Sequence, residues 1–122
     1  MHREVCDFYL DDKLFPWGGQ GYVHVVEDYK NVYVTFEHAF KAGSWVKVSL
    51  ETAGTSGERW SVIGTKKGQA WNDFMSKQNY NAVFNNIAMN GQYLRVRVAL
   101  YSVWNGSIEM MGETTVSHWV RQ

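Results

Sequence analysis

The segment Tyr93 to Trp104 reads YLRVRVALYSVW. Leu94, Val96, Val98 and Leu100 alternate with Tyr93, Arg95, Arg97 and Tyr101, so one row is aliphatic and the other aromatic or cationic. A strand sends successive side chains to opposite faces, and a period of two therefore describes a strand with one buried face and one wet face. The same rule orders the sequence on either side. Upstream, Trp45 to Glu51 (WVKVSLE) turns Val46, Val48 and Leu50 inward and Trp45, Lys47, Ser49 and Glu51 outward. Further back, Tyr22 to Asp28 (YVHVVED), a turn at Tyr29-Lys30-Asn31, and Val32 to Phe40 (VYVTFEHAF) form a hairpin. Its core row is Val32, Val34, Phe36, His38 and Phe40, and its outer row Tyr33, Thr35 and Glu37. Downstream, Asn105-Gly106 turns the chain into Ser107 to Val120, where Gly112 marks a bulge.

Other stretches are less regular. Arg59 to Ile63 (RWSVI) reads as a short strand closed by Gly64-Thr65-Lys66-Lys67-Gly68, which puts Lys66 and Lys67 on a solvated turn. In Gln69 to Lys77 (QAWNDFMSK) the residues Trp71, Phe74 and Met75 stand at i, i+3, i+4, a spacing that predicts one short helix near 69–77. Ala82 to Met89 fits a strand or a helix, and Asn90-Gly91 carries a type I′ turn signal. An N-terminal strand around Val5 to Leu10 brings the total to about seven to nine strands. Short strands, frequent turns and no alternating helices predict an all-β fold, first an antiparallel β-sandwich of jelly-roll or immunoglobulin-like type. An eight-stranded up-and-down barrel is the second expectation, because successive segments look hairpin-linked. One proline, Pro16, and no repeat or linker predict a single domain over 1–122.

Composition excludes several functions. The 122 residues carry twelve basic and twelve acidic side chains, a formal net charge of zero, which argues against a protein held to nucleic acid through phosphate. A single cysteine, Cys6, excludes an internal disulfide and a thiolate-based zinc site. No run approaches the ~18 apolar residues of a membrane helix, so no membrane insertion is expected. Met1-His2-Arg3-Glu4 opens without a basic region and apolar stretch, so no secretory signal is visible; a soluble chain is expected, with its location open and a virion among the possibilities.

Chemical constellations are weak. The four histidines lack HxH or HExxH spacing, and His24 and His38, near Glu27 and Glu37, stand among valines and phenylalanines; neither a metal nor a cofactor is expected. Gly18-Gly19-Gln20-Gly21 precedes a strand rather than a helix N-terminus, so it is a turn and not a phosphate cradle. No serine lies in a GxSxG elbow, and the carboxylate pairs Glu27/Asp28 and Glu109/Glu113 belong to no motif, so no enzyme is expected. Asn105-Gly106-Ser107 matches a glycosylation sequon but reads as a hairpin turn.

The outer rows carry the functional expectation. The aromatics, six Trp, seven Tyr and six Phe, make up 16% of the chain, and the alternation divides them. Phe8, Phe36, Phe40 and Trp104 fall on core rows and Trp60 fits there, whereas Tyr33, Trp45, Tyr93, Tyr101 and Trp119 project outward beside Arg95 and Arg97. Aromatics beside arginines resemble the composition of interface hot spots. The expectation is a non-enzymatic sandwich acting through Tyr33, Trp45, Tyr93, Arg95, Arg97, Tyr101 and Trp119. It would be a structural or attachment component of a larger assembly, such as a phage virion or tail, with protein partners or self-association. The alternatives are a carbohydrate-binding module stacking sugar on Trp45, Tyr93, Tyr101 and Trp119, and a small-ligand barrel.

Overall fold

In the computed structural model, residues 2–10, 21–38, 44–69, 71–72, 78–104 and 107–121 are described. Ten strands run through them: β1 His2–Leu10, β2 Gly21–Asp28, β3 Asn31–His38, β4 Trp45–Gly54, β5 Ser61–Gln69, β6 Trp71–Asn72, β7 Gln78–Phe84, β8 Tyr93–Trp104, β9 Ser107–Thr115 and β10 Trp119–Val120. Sheet I has the order β1-β2-β3-β7-β6. Sheet II runs β5-β4-β8, with β9 and β10 both paired to the far side of β8. Among the described residues every pairing is antiparallel, and no pairing joins one sheet to the other. The molecule is an antiparallel β-sandwich, and not the closed barrel that ranked second from the sequence.

The period-two reading of β3, β4 and β8 holds where the side chains are described, which for the expected core row of β3 leaves out His38 and Phe40, and β2 and β7 follow the same period. Val23 and Val25 of β2, Val32, Val34 and Phe36 of β3, and Ala82 and Phe84 of β7 are buried on the inner face of sheet I. Val46, Val48 and Leu50 of β4 meet Leu100, Val98 and Val96 of β8 across the inner face of sheet II. Each fully buried Val, Leu or Phe contributes about 1.5–3 kcal/mol by leaving water, so these two rows supply the main drive for folding.

Two local readings are corrected. The helix expected near 69–77 is not found at its start, because Gln69 ends β5 and Trp71–Asn72 form β6; residues 73–77, with Phe74 and Met75, lie outside the described residues. The strand at Arg59 to Ile63 with its closing turn is instead one strand, Ser61–Gln69, so Lys66 and Lys67 stand on β5. The glycines that looked like turn punctuation mark a close approach of the sheets. A Cβ on Gly68 would lie 2.4 Å from Cε1 of Tyr80, and one on Gly64 would lie 2.8 Å from Cδ1 of Phe84. β7 thus lays its rings on the bare backbone of β5, and the same burial pushes the Tyr80 phenol pKa up from its ordinary value.

The hairpin expected at Tyr29 is present, but its loop is two residues long, because Asn31, expected in the turn, opens β3 opposite Asp28. Asn90-Gly91 is different: β7 and β8 belong to different sheets, and the pair sits in a crossover, with φ positive at Gly91 (75°) but not at Asn90. The expected bulge near Gly112 is present, because Leu100 pairs Gly112 while Tyr101 pairs Met110, leaving Met111 as the extra residue. Asn105-Gly106, Pro16-Trp17, Gly18 to Gln20 and Phe40 lie outside the described residues, while Gly21 opens β2.

The crossover 85–92 is held by polar groups rather than by a sheet ladder. Ile87 donates its N–H to Lys30 O at 2.7 Å, and the buried Gln92 donates to Ala88 O and accepts from Thr52 Oγ1. Arg121, almost wholly buried, closes the same end of the sandwich. Its Nη1 donates to Glu27 Oε2 at 2.8 Å, and its Nη2 donates to Tyr29 O and Ile87 O. Trp119 Nε1 donates to the other oxygen of Glu27 at 2.5 Å. A residue of β2 in sheet I is thereby tied to the C-terminal segment of sheet II.

Candidate functional site

The outer face of sheet II is assembled by register. β4, β8, β5 and β9 bring their outer residues into successive cross-strand rows. One row is Gln69, Trp45, Tyr101 and Met110; the next is Lys67, Lys47, Ala99 and Glu113; the third is Thr65, Ser49, Arg97 and Thr115. A fourth holds Val62, Glu51 and Arg95. An apolar row therefore borders a charged field on a single surface.

The apolar row is open to solvent. Trp45 is 39% exposed and Met110 53%, Tyr101 is half-buried between them, and Ile108, two residues before Met110 on β9, is 65% exposed. A solvated sheet face ordinarily carries Thr, Lys and Glu, and an indole, a phenol and a thioether in one row form a contiguous apolar strip.

The charged field is organised around Glu51. Although Glu51 is on an outer row, it is buried beneath two arginines. Arg95 Nε donates to Oε1 at 2.6 Å, and Arg97 Nε stands 3.1 Å from Oε2. Arg97 Nη1 donates onward to Glu113 Oε1 at 3.0 Å. The Arg95 guanidinium also covers the Trp60 ring, 4.3 Å from its centroid, and His118 packs on Trp60 and edge-on to Tyr93. Salt bridge, cation–π contact and ring packing together orient Arg95, whose exposed surface would otherwise leave it mobile. A groove runs beside this network, lined by Lys47, Lys67, Thr65, Ser49, Arg97 and Glu113 among others. Its floor includes the hydroxyl pair Ser49 and Thr65, 3.4 Å apart.

Of the residues expected from the sequence, Trp45, Tyr93, Arg95, Arg97 and Tyr101 share this face. Two do not. Tyr33 lies on β3, on the outer face of sheet I, so it belongs to the opposite side of the sandwich. Trp119 is 7% exposed and sits in the core cluster, its N–H on Glu27, so the outward placement is corrected. β10 is only two residues long, and alternation over so short a segment carries no direction. Glu51, Glu113, Lys47, Lys67, Trp60, Met110 and Ile108 complete the surface. The alternation already turned Lys47 and Glu51 outward; their partners became visible only with the register. Trp60 is half-buried against this outer network rather than in the core. His24 is half-buried on sheet I, and among the described residues no group of three or more His, Cys, Asp or Glu side chains is placed to hold a metal ion. Among the described residues no helix is long and apolar enough to cross a membrane. No protein-family model, curated protein or solved structure matches the chain.

Proposed function

We propose that this protein is a non-enzymatic docking domain, a structural or attachment component of a larger protein assembly, and that it associates through the outer face of sheet II. The observation that carries the reading is the open row Trp45, Tyr101, Met110, extended by Ile108 and bordered by the Glu51–Arg95–Arg97–Glu113 network. Aromatics, methionine and arginine are the residue types enriched at protein interfaces, where a dry centre is ringed by polar groups. The arginines are held before any partner arrives, which lowers the entropy lost on docking. Both carboxylates of the network are occupied by guanidinium groups, an arrangement suited to recognition rather than to proton transfer.

Light scattering across micromolar concentrations tests the reading. Association is expected in the intact chain and is expected to be lost on combining Trp45→Ala with Met110→Ser, while Tyr33→Ala on the opposite face leaves it unchanged. A monomer at every concentration, with tryptophan fluorescence that shifts on adding oligosaccharide, would replace this reading with the carbohydrate-binding one.

A further inference from the structure

A surface that docks onto a second copy of itself must match its own pattern after a half-turn, because in an isologous contact the same patch serves both partners. The outer face of sheet II has that property. Its rows cross four strands in the order β5, β4, β8, β9. A two-fold axis parallel to the strands, lying between β4 and β8, sets β5 of one copy against β9 of the other and β4 against β8. The row Lys67, Lys47, Ala99, Glu113 is then laid on its own reverse, so that Lys67 meets the partner's Glu113 and Lys47 meets the partner's Ala99. In the neighbouring rows Trp45 meets the partner's Tyr101, Ser49 meets the partner's Arg97, and Glu51 meets the partner's Arg95. No like charges face each other in these rows.

The two lysines are the groups that a single copy leaves unsatisfied. Lys47 and Lys67 stand directly opposite across the β4–β5 register, and neither has an ion-pair partner among the described residues. Like charges so placed oppose folding. The half-turn brings an exposed carboxylate to the exposed Lys67, and the short side chain of the partner's Ala99 lets Lys47 reach the same carboxylate from the adjacent strand. A two-fold axis running across the strands, between the Lys47 and Ser49 rows, does neither: it sets both lysines against hydroxyls and Trp45 against Glu51. The face as a whole carries Lys47, Lys67, Arg95 and Arg97 against Glu51 and Glu113, so two copies repel at a distance. The hold must therefore come from the apolar row, where indole meets phenol, and the charges select the register in which that row can close.

We propose that this chain forms a closed two-fold dimer through the outer face of sheet II, with the axis parallel to the strands between β4 and β8. The proposal rests on the reading of this face as a docking surface and names a second copy as what occupies it. Aligned sheets cross at about 30°, so the match is tightest in the adjacent rows of Trp45 and Lys47, where the axis passes.

Sedimentation equilibrium of the intact chain is expected to show a dimer and no larger species. The register is tested by charge exchange, with fluorescently labelled Glu113→Lys as the probe and excess unlabelled chain as the capturing partner. Against the parent chain one of the two Lys67–Glu113 contacts is repulsive; against Lys67→Glu both are attractive. Lys67→Glu is therefore expected to capture the probe about tenfold more tightly than the parent does. Lys66→Glu adds the same charge on the other face of β5 and is expected to gain less than about twofold. A tenfold gain also shows that both variants fold, since an unfolded chain recovers nothing on mixing. An equal gain from Lys66→Glu overturns the proposal in favour of diffuse charge attraction, and no gain from Lys67→Glu overturns the register. Species beyond the dimer overturn the closed symmetry, and a monomer at every concentration overturns the dimer itself. If association depends on Trp45 and Met110 but not on the Lys67–Glu113 match, this dimer falls and the docking face stands; if it is indifferent to Trp45 and Met110, the face falls.

Discussion

Two glutamate–arginine clusters built from the same functional groups sit in opposite surroundings. Glu27 and Arg121 are 3% and 1% exposed and join the two sheets at one end of the core. Glu51, Arg95 and Arg97 lie on the outside of sheet II, where the two arginine side chains are 23% and 36% exposed. Water can replace a lost partner in the second cluster but not readily in the first. The inner cluster is therefore an element of architecture, and the outer one a surface whose geometry is set but whose contacts are exchangeable.

The largest consequence should appear at Arg121. Replacing it with Met removes a guanidinium shared by Glu27, Tyr29 O and Ile87 O, in a place where the acceptors have little solvent to turn to. Breaking a buried ion pair from one side costs roughly 3–5 kcal/mol, so urea denaturation of Arg121→Met should show a loss of that order. Arg121→Lys keeps the charge on Glu27 but loses the planar fork that reaches several acceptors at once, and it should lose less. A loss under about 1 kcal/mol for Arg121→Met would show that this end of the sandwich opens easily to water, and the contrast between the clusters would collapse.

Gly68→Ala sharpens the comparison between those extremes. The added methyl would stand 2.4 Å from a Tyr80 ring carbon, and Tyr80 is half-buried at the margin of the core, so the ring has room to give only outward. Overpacking of this kind costs about 1–3 kcal/mol. Urea midpoints of Gly68→Ala with and without Tyr80→Ala measure it: the second change should suppress the penalty of the first. Independent, additive losses would show that the two sheets do not meet there.

The same positions show how far the sequence could be read. Alternation assigned the inner rows of β3, β4 and β8, because a half-buried strand writes its orientation into every second residue. It also turned Trp45, Lys47, Arg95, Arg97 and Tyr101 outward. It misread Gly64 and Gly68, because a glycine needed for a close approach looks identical to one needed for a turn. Trp119 and Arg121 were illegible for a different reason: their partner Glu27 is 92 and 94 residues away, and nothing local requires an arginine to be buried. Tyr33 was grouped with the other aromatics because period gives the face of a strand but not the sheet to which the strand belongs. The groove likewise depends on the register that sets Lys47 against Lys67, a long-range fact.

The smallest expected effect is at Glu51, and it is the one that joins stability to function. Glu51 is buried, but its two arginines reach solvent and Arg97 keeps Glu113, so Glu51→Gln should cost only about 1 kcal/mol in urea denaturation. Raising salt should narrow the difference between parent and Glu51→Gln, since partly exposed pairs are screened, while the deficit of Arg121→Met should persist. Association should respond more strongly than stability, because Arg95 and Arg97 lose the carboxylate that fixes them and must be ordered by the partner instead. A variant that folds almost as well as the parent but associates more weakly would mark the outer cluster as a docking element. Equal insensitivity of folding and association to Glu51→Gln would reduce it to surface decoration, and the apolar row beside it would have to carry the contact alone.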